Sequence, residues 1–212
     1  MTLSSEPSKS STLRLAVLIL AAGEGSRLGG HPKALLTKDG SSLLRRFIHS
    51  IQDLSPTETM VVTGFYADEV EAEIQSIQSP ITWLRNPKPE TGQSSSVRLG
   101  LESLKSDYDV LLIALCDQPN IGASEIESLL EQFDQRTAEQ EMILPVVNGQ
   151  RGNPVLFSKE AIHQILITPG MVCRVYMDQH PEQIKTFATD NAAYVLDVDT
   201  QADIQKLGLD PL

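Results

Sequence analysis

Apolar residues cluster in short runs along this chain, and polar stretches with helical spacing separate them. Leu15–Ala22 (LAVLILAA) is an unbroken apolar run of strand length, and it predicts a fully buried strand that opens into a glycine-rich loop, Gly23–Gly30. Asp109–Leu115 (DVLLIAL) predicts a second buried strand, ending at Cys116-Asp117-Gln118-Pro119. Thr59–Thr63 and Ile81–Leu84 read as further strands. Ser41–Gln52 places Leu43, Leu44, Phe47, Ile48 and Ile51 at intervals of three and four, the signature of an amphipathic helix. The same spacing predicts helices over Ala67–Ile77, Ser94–Leu104 and Ala123–Phe133. Met142–Val147 and Pro154–Phe157 read as strands around the polar turn Asn148–Asn153, followed by two helical pieces. Phe187 and Tyr194–Leu196 mark terminal strands, and Gln201–Leu207 a closing helix.

Strands alternating with helices predict an α/β fold with a mostly parallel sheet, read as one domain over 14–212. In such sheets ligands bind beyond the carboxyl ends of the strands. That rule gathers Gly23–Lys33, Asn86–Ser96, Asp117–Pro119 and Asp197–Asp199 into one candidate crevice.

Composition narrows the partners. The 212-residue chain has 17 Lys and Arg against 28 Asp and Glu, a net charge of −11. A surplus of this size argues against nucleic acid and against anionic membrane surfaces as partners. A small anionic ligand remains compatible, because backbone amides and a few local cations suffice to bind a phosphate. Two cysteines, Cys116 and Cys173, give no disulfide framework and point to a reducing, cytoplasmic setting. No apolar run approaches the roughly 20 residues needed to span a bilayer. The polar, Ser-rich start reads as a disordered leader over 1–13 and not as a signal peptide.

The glycine-rich loop carries the chemistry. Its glycines let several N–H groups approach a ligand, Arg27 offers a planar fork to phosphate oxygens, and Lys33 a mobile point charge. The spacing fits neither a dinucleotide fingerprint, because Leu28 stands at the third glycine's position, nor a Walker A loop, because His31-Pro32 follow Gly30. Asp117, at the end of a buried strand, is poised to hold Mg²⁺, a hard cation that takes one or two carboxylates plus substrate phosphates. The four histidines offer no metal triad and no catalytic arrangement.

The run Leu20-Ala21-Ala22-Gly23-x-Gly25-Ser26-Arg27-Leu28-Gly29-x-x-Pro32-Lys33-x-Leu35-Leu36 resembles the signature loop of the MobA-like nucleotidyltransferases, and within them is most similar to the molybdenum cofactor cytidylyltransferases. The resemblance implies a Rossmann-like three-layer fold. It also implies that Ala21, Ala22, Gly23, Glu24, Gly25, Ser26, Arg27 and Lys33 wrap a nucleoside triphosphate, with Arg27, Lys33 and Asp117 catalytic. Ala22, where family guanylyltransferases carry glycine, favours CTP. Asn86-Pro87-(x4)-Gly92-Gln93-Ser94-Ser95-Ser96 resembles the family segment that contacts base and ribose, which assigns Gly92, Gln93, Ser95 and Ser96 to the nucleotide. Asp117-Gln118-Pro119 and Leu196-Asp197-Val198-Asp199-Thr200 match the family's two carboxylate motifs, which makes Asp117 and Asp199 the ligands of Mg²⁺. If the latter stretch is extended, Asp197 faces the opposite way from Asp199.

Arg151-Gly152-Asn153-Pro154-Val155-Leu156-Phe157 resembles the element near the acceptor, which assigns Gly152, Asn153 and Pro154 to acceptor binding, and Arg174 is kept, on the same acceptor-binding side, from the family's Gly-Asp-x-Gly-Ala-Arg motif, matched by Pro169–Arg174. Asn153 replaces a common His, and Gly170 an expected Asp. The implied reaction is transfer of CMP from CTP to a phosphorylated pterin-type acceptor, molybdopterin or the molybdenum cofactor, for a recipient molybdoenzyme. The alternatives are a sugar phosphate or other small phosphate acceptor, or a non-catalytic cofactor-binding chaperone.

Overall fold

The computed structural model describes residues 13–210, so the expected leader falls outside the described residues except for its last position. In chain order the strands and helices are β1 (Leu15–Ala21), β2 (Thr37–Lys38), β3 (Ser41–Ser42), α1 (Leu43–Gln52), β4 (Glu58–Thr63), α2 (Ala67–Ser76), β5 (Thr82–Arg85) and α3 (Gln93–Ser103). They continue with β6 (Val110–Leu115), α4 (Ala123–Asp134), β7 (Met142–Val147), β8 (Gln150–Arg151), β9 (Val155–Ser158), α5 (Lys159–Ile167), α6 (Cys173–Gln179), β10 (Ile184–Ala188) and α7 (Gln201–Leu207).

One eight-stranded sheet runs β10-β7-β9-β6-β1-β4-β5, with β8 paired to β7. β1 lies parallel between β4 and β6, β5 extends the parallel set, and β10 is parallel to β7. Only β9 breaks the pattern among the long strands, pairing antiparallel with both β6 and β7. The period-two alternation of β1 divides the core. Val17 and Ile19 join Val61, Leu112, Leu44, Ile48, Val70 and Leu129 on one face. Ala16, Leu18 and Leu20 join Met60, Leu111, Leu101, Ile162 and Tyr176 on the other. Helices α1, α2 and α4 therefore cover one side and α3, α5 and α6 the other, giving three layers.

Local chemistry sets the helix starts. Ser42 Oγ accepts from Arg45 N at 3.1 Å and Ser158 Oγ from Ala161 N at 3.0 Å, ordinary N-caps. The helix expected from Ser41 therefore begins two residues later, because Ser41–Ser42 pair with β2 as a short antiparallel ribbon. The polar turn 148–153 contains the small strand β8, which pairs back on β7. Tyr194–Leu196 does not form the expected strand. Ala192–Val195 is a single 3₁₀ turn, capped by Asn191 Oδ1 accepting from Ala193 N at 3.0 Å. Its buried Tyr194 ring packs edge-on to Phe187 and its hydroxyl donates to the Glu125 carbonyl at 2.7 Å. The apolar residues there are buried by side-chain packing and not by a ladder.

Candidate active site

The parallel arrangement of β1, β4, β5 and β6 brings their carboxyl ends to one edge, where a cavity of about 470 Å³ opens. All of Ala21–Arg27 line it, with Lys33. Gly92, Gln93 and Ser96 close a second wall, and Asp117 and Asp199 a third. The four segments gathered from the sequence thus meet in one place.

The first loop is held from outside and left open inside. Gly25 adopts φ 61°, and a Cβ there would collide with the His31 carbonyl, so only glycine fits. Leu28 N donates to Gly25 O at 2.8 Å, closing the turn Ser26–Leu28, and the buried Leu28 side chain anchors it. Tyr66 Oη donates to Glu24 O at 2.8 Å and Gln201 Nε2 to Leu28 O at 2.8 Å. Among the described residues the exposed Arg27 side chain makes no hydrogen bond or ion pair, so its fork is available to a ligand.

Lys33 sits between the carboxylates. Its Nζ is 2.9 Å from Asp117 Oδ2 and 2.6 Å from Asp199 Oδ1. Partial burial works to lower its pKa, but the Asp117 charge and the bonds to both carboxylates outweigh it and the pKa is raised. Asp117 Oδ1 is buried without a partner. Two carboxylates that share one cation, with an oxygen to spare, form a donor set suited to a hard divalent ion completed by phosphate oxygens. No group of three or more His, Cys, Asp or Glu that could hold a metal exists among the described residues.

Asp199 lines the cavity and Asp197 does not. Residues 196–199 form no strand, and the Asp197 Oδ1 is buried without a partner. Burial first, then the charges of Asp117 and Asp199, raise the Asp197 pKa to about 6. Asn86 and Gln118 lay in the segments read as the crevice without a role of their own, and Phe65 lay outside them. Phe65 lines the cavity just after β4, a strand end that the crevice rule points to. Buried Asn86 donates to Ser95 Oγ at 2.8 Å and Ser96 Oγ at 2.9 Å. Ser95 Oγ also donates to Gly92 O at 2.7 Å, so Ser95 braces the turn and does not line the cavity. Cys116 lines the cavity, yet burial pushes its thiol up, away from the reactive thiolate.

Gly152, Asn153 and Arg174 line a second cavity of about 240 Å³, while Pro154 lies outside its lining. Its walls are largely apolar, with Val97, Ile113, Leu144, Phe157 and Met177. The two cavities share Leu20, Gln93 and Leu115, so they are neighbours. No helix among the described residues is long and apolar enough to cross a membrane.

The chain is similar to known proteins over much of its length. Over 120 residues the chain is 33% identical to the bifunctional protein GlmU of Francisella philomiragia, covering 56% of this chain and 26% of that protein. The chain spans about a quarter to a third of the length of the curated relatives it matches. Among solved structures, Rv0371c of Mycobacterium tuberculosis H37Rv superposes with a TM-score of 0.72 at 19% identity, covering 93% of this chain and 98% of that one. A manganese complex of the same protein gives 0.70. A CMP:2-keto-3-deoxy-manno-octonic acid synthetase complexed with CTP gives 0.69 at 15% identity, covering 92% of this chain and 96% of that one. These structural likenesses speak to the fold. The MobA-like NTP transferase domain matches residues 17–174, three quarters of the chain, and the protein belongs to that family.

Proposed function

We propose that the protein transfers CMP from CTP to a phosphorylated pterin-type acceptor, molybdopterin or its molybdenum-loaded form, releasing pyrophosphate. The observation that carries this reading is the adjacency of the two cavities, with the Asp117–Lys33–Asp199 cluster on the wall of the first. A donor nucleotide and an acceptor phosphate can then meet without leaving the crevice. The CTP bound by the octonic acid synthetase of like fold supports the nucleotide. The cavity beside Arg174 combines apolar walls from Leu144, Phe157 and Met177 with polar groups of Gln93, Ser94 and Asn153, a lining compatible with a flat polar ring bearing an anion.

In this mechanism the amides of Gly23–Arg27 and the Arg27 fork hold the β- and γ-phosphates. Asp117 and Asp199 would hold Mg²⁺, which when bound supplies charge neutralisation at the α-phosphate; manganese in a complex of Rv0371c supports a divalent ion here. Lys33 exchanges its carboxylate partners for the phosphates and stabilises the charge that grows on the leaving pyrophosphate. Ser96 and Gln93 position base and ribose on the opposite wall. The acceptor phosphate, oriented by Arg174 and the Gly152–Asn153 turn, attacks in line, and no covalent enzyme intermediate forms.

The test is a matrix of CTP, GTP, ATP and UTP against molybdopterin and several sugar phosphates, scored by pyrophosphate release with Mg²⁺. Release confined to CTP with molybdopterin is the expected result. Turnover with a sugar phosphate alone, or none with any pair despite nucleotide binding, would overturn the reading in favour of another acceptor or of a binding protein.

A further inference from the structure

The Tyr194 carbonyl oxygen is where three segments of the site meet. It accepts from Gln118 Nε2 at 3.0 Å and from Asn153 N at 2.8 Å. Gly152 permits this approach, since a Cβ there would lie 2.6 Å from that oxygen and 2.9 Å from Tyr194 Cβ. A little further along, Val198 N donates to Asp117 O at 2.9 Å. The stretch 194–199, which carries Asp197 and Asp199, is therefore attached to the Asp117–Gln118 dipeptide at two points. One is a main-chain bond, and the other depends wholly on the Gln118 side chain.

Gln118 is an odd choice for its surroundings if packing is all it does. It is 5% exposed, and its Oε1 is buried with no partner. An unpaired buried amide oxygen is destabilising, whereas methionine would fill a similar volume at no such cost. The amide contributes its donated bond to Tyr194 O and an N–H group that faces the Asp197 carboxyl on the same stretch. Asp117 and Asp199 come from segments far apart in sequence; the Tyr194 hydroxyl on Glu125 and the buried Val198 side chain hold 194–199 to other elements, and the Val198 amide is its only main-chain tie to Asp117–Gln118 among the described residues. The Gln118 side chain adds a second tie to that dipeptide.

We infer that Gln118 is a positioning residue: it fixes the register of 194–199 against the end of β6, and so sets the spacing of Asp117 and Asp199. Through the shared carbonyl it also ties the acceptor-side turn Gly152–Asn153 to that spacing. The inference rests on the proposed role of Asp117 and Asp199 as cation ligands. Occupation of the acceptor cavity and geometry of the carboxylate pair are then mechanically linked.

The experiment compares Gln118→Met and Gln118→Glu with the wild type. Its readouts are Mn²⁺ affinity in the presence of CTP, CTP affinity without a cation, acceptor KM, melting temperature, and hydrogen exchange at the Val198 and Asn153 amides. For Gln118→Met, cation-free CTP binding and melting temperature stay near wild type, because the phosphate loop does not touch Gln118. Mn²⁺ affinity falls about 10–100-fold, the usual consequence of removing a group that orients metal ligands. Acceptor KM rises with it, and both amides lose protection. Gln118→Glu loses more, since its carboxylate faces the Tyr194 carbonyl and the Asp197 carboxyl. Wild-type Mn²⁺ affinity and wild-type amide protection in Gln118→Met would overturn the inference. If the wild-type protein binds CTP but no Mn²⁺, the carboxylate assignment fails instead, and the exchange of Val198 and Asn153 alone decides whether Gln118 positions the segment.

Discussion

Lys33 and Asp197 show how one cluster gives opposite fates to neighbouring groups. Lys33 holds its charge because two carboxylates face it. Its removal leaves those carboxylates opposed and deprives the triphosphate of a cation. Lys33→Ala should lower kcat/KM for CTP by one to three powers of ten, about 1.4–4 kcal/mol of transition-state stabilisation; steady-state pyrophosphate release measures it. Asp197 is the reverse case, with burial and two like charges raising its pKa to about 6. Because the folded-state value lies above the unfolded one, Asp197 binds its proton more tightly in the folded protein. Its contribution to stability is greatest at low pH and declines as pH rises through about 6. Asp197→Asn should therefore stabilise the protein above pH 7, by roughly 1–2 kcal/mol once the exposed part of the group is allowed for. The difference should vanish near pH 4, where wild-type Asp197 is neutral in the native state. Urea midpoints measured across that range would check the sign.

At the scale of elements, α7 connects capping chemistry to the phosphate loop. Thr200 Oγ1 accepts from Asp203 N, and Asp203 Oδ2 accepts from Thr200 N at 2.8 Å, a reciprocal cap. The first helical residue, Gln201, then donates to the Leu28 carbonyl of the loop. Thr200→Ala should cost about 1 kcal/mol of stability. It should also raise KM for CTP more than it lowers kcat, because the loop loses an outside brace and not a catalytic group. Melting temperature and initial-rate kinetics separate the two effects. The helix over Gln201–Leu207 was legible in the sequence because its spacing is local, whereas the Thr200–Asp203 cap was not read there. The contact to Leu28 was not legible, since nothing in the spacing of α7 reports which loop lies beside it.

Across the whole molecule, the site depends on the position of β1. It is flanked on both edges by parallel partners and covered on both faces, so its side chains reach neither solvent nor an alternative register. Leu18, fully buried against the α3 side, is representative. Leu18→Ala should lower the unfolding free energy by about 2–5 kcal/mol, as measured in urea, because a rigid sheet core collapses poorly around a void. By itself the sequence determined the α/β class, the ranges of most helices and strands, and the loop that opens the site. These follow from hydrophobic period, caps and glycines, which act over a few residues. Only the tertiary structure decided that β9 runs antiparallel, that Tyr194–Leu196 turns instead of extending, and that Asp197 shares the field of Asp117 and Asp199. Each of those outcomes is set by which distant segment lies alongside, and burial alone, which is what an apolar pattern encodes, does not specify the neighbour that provides it.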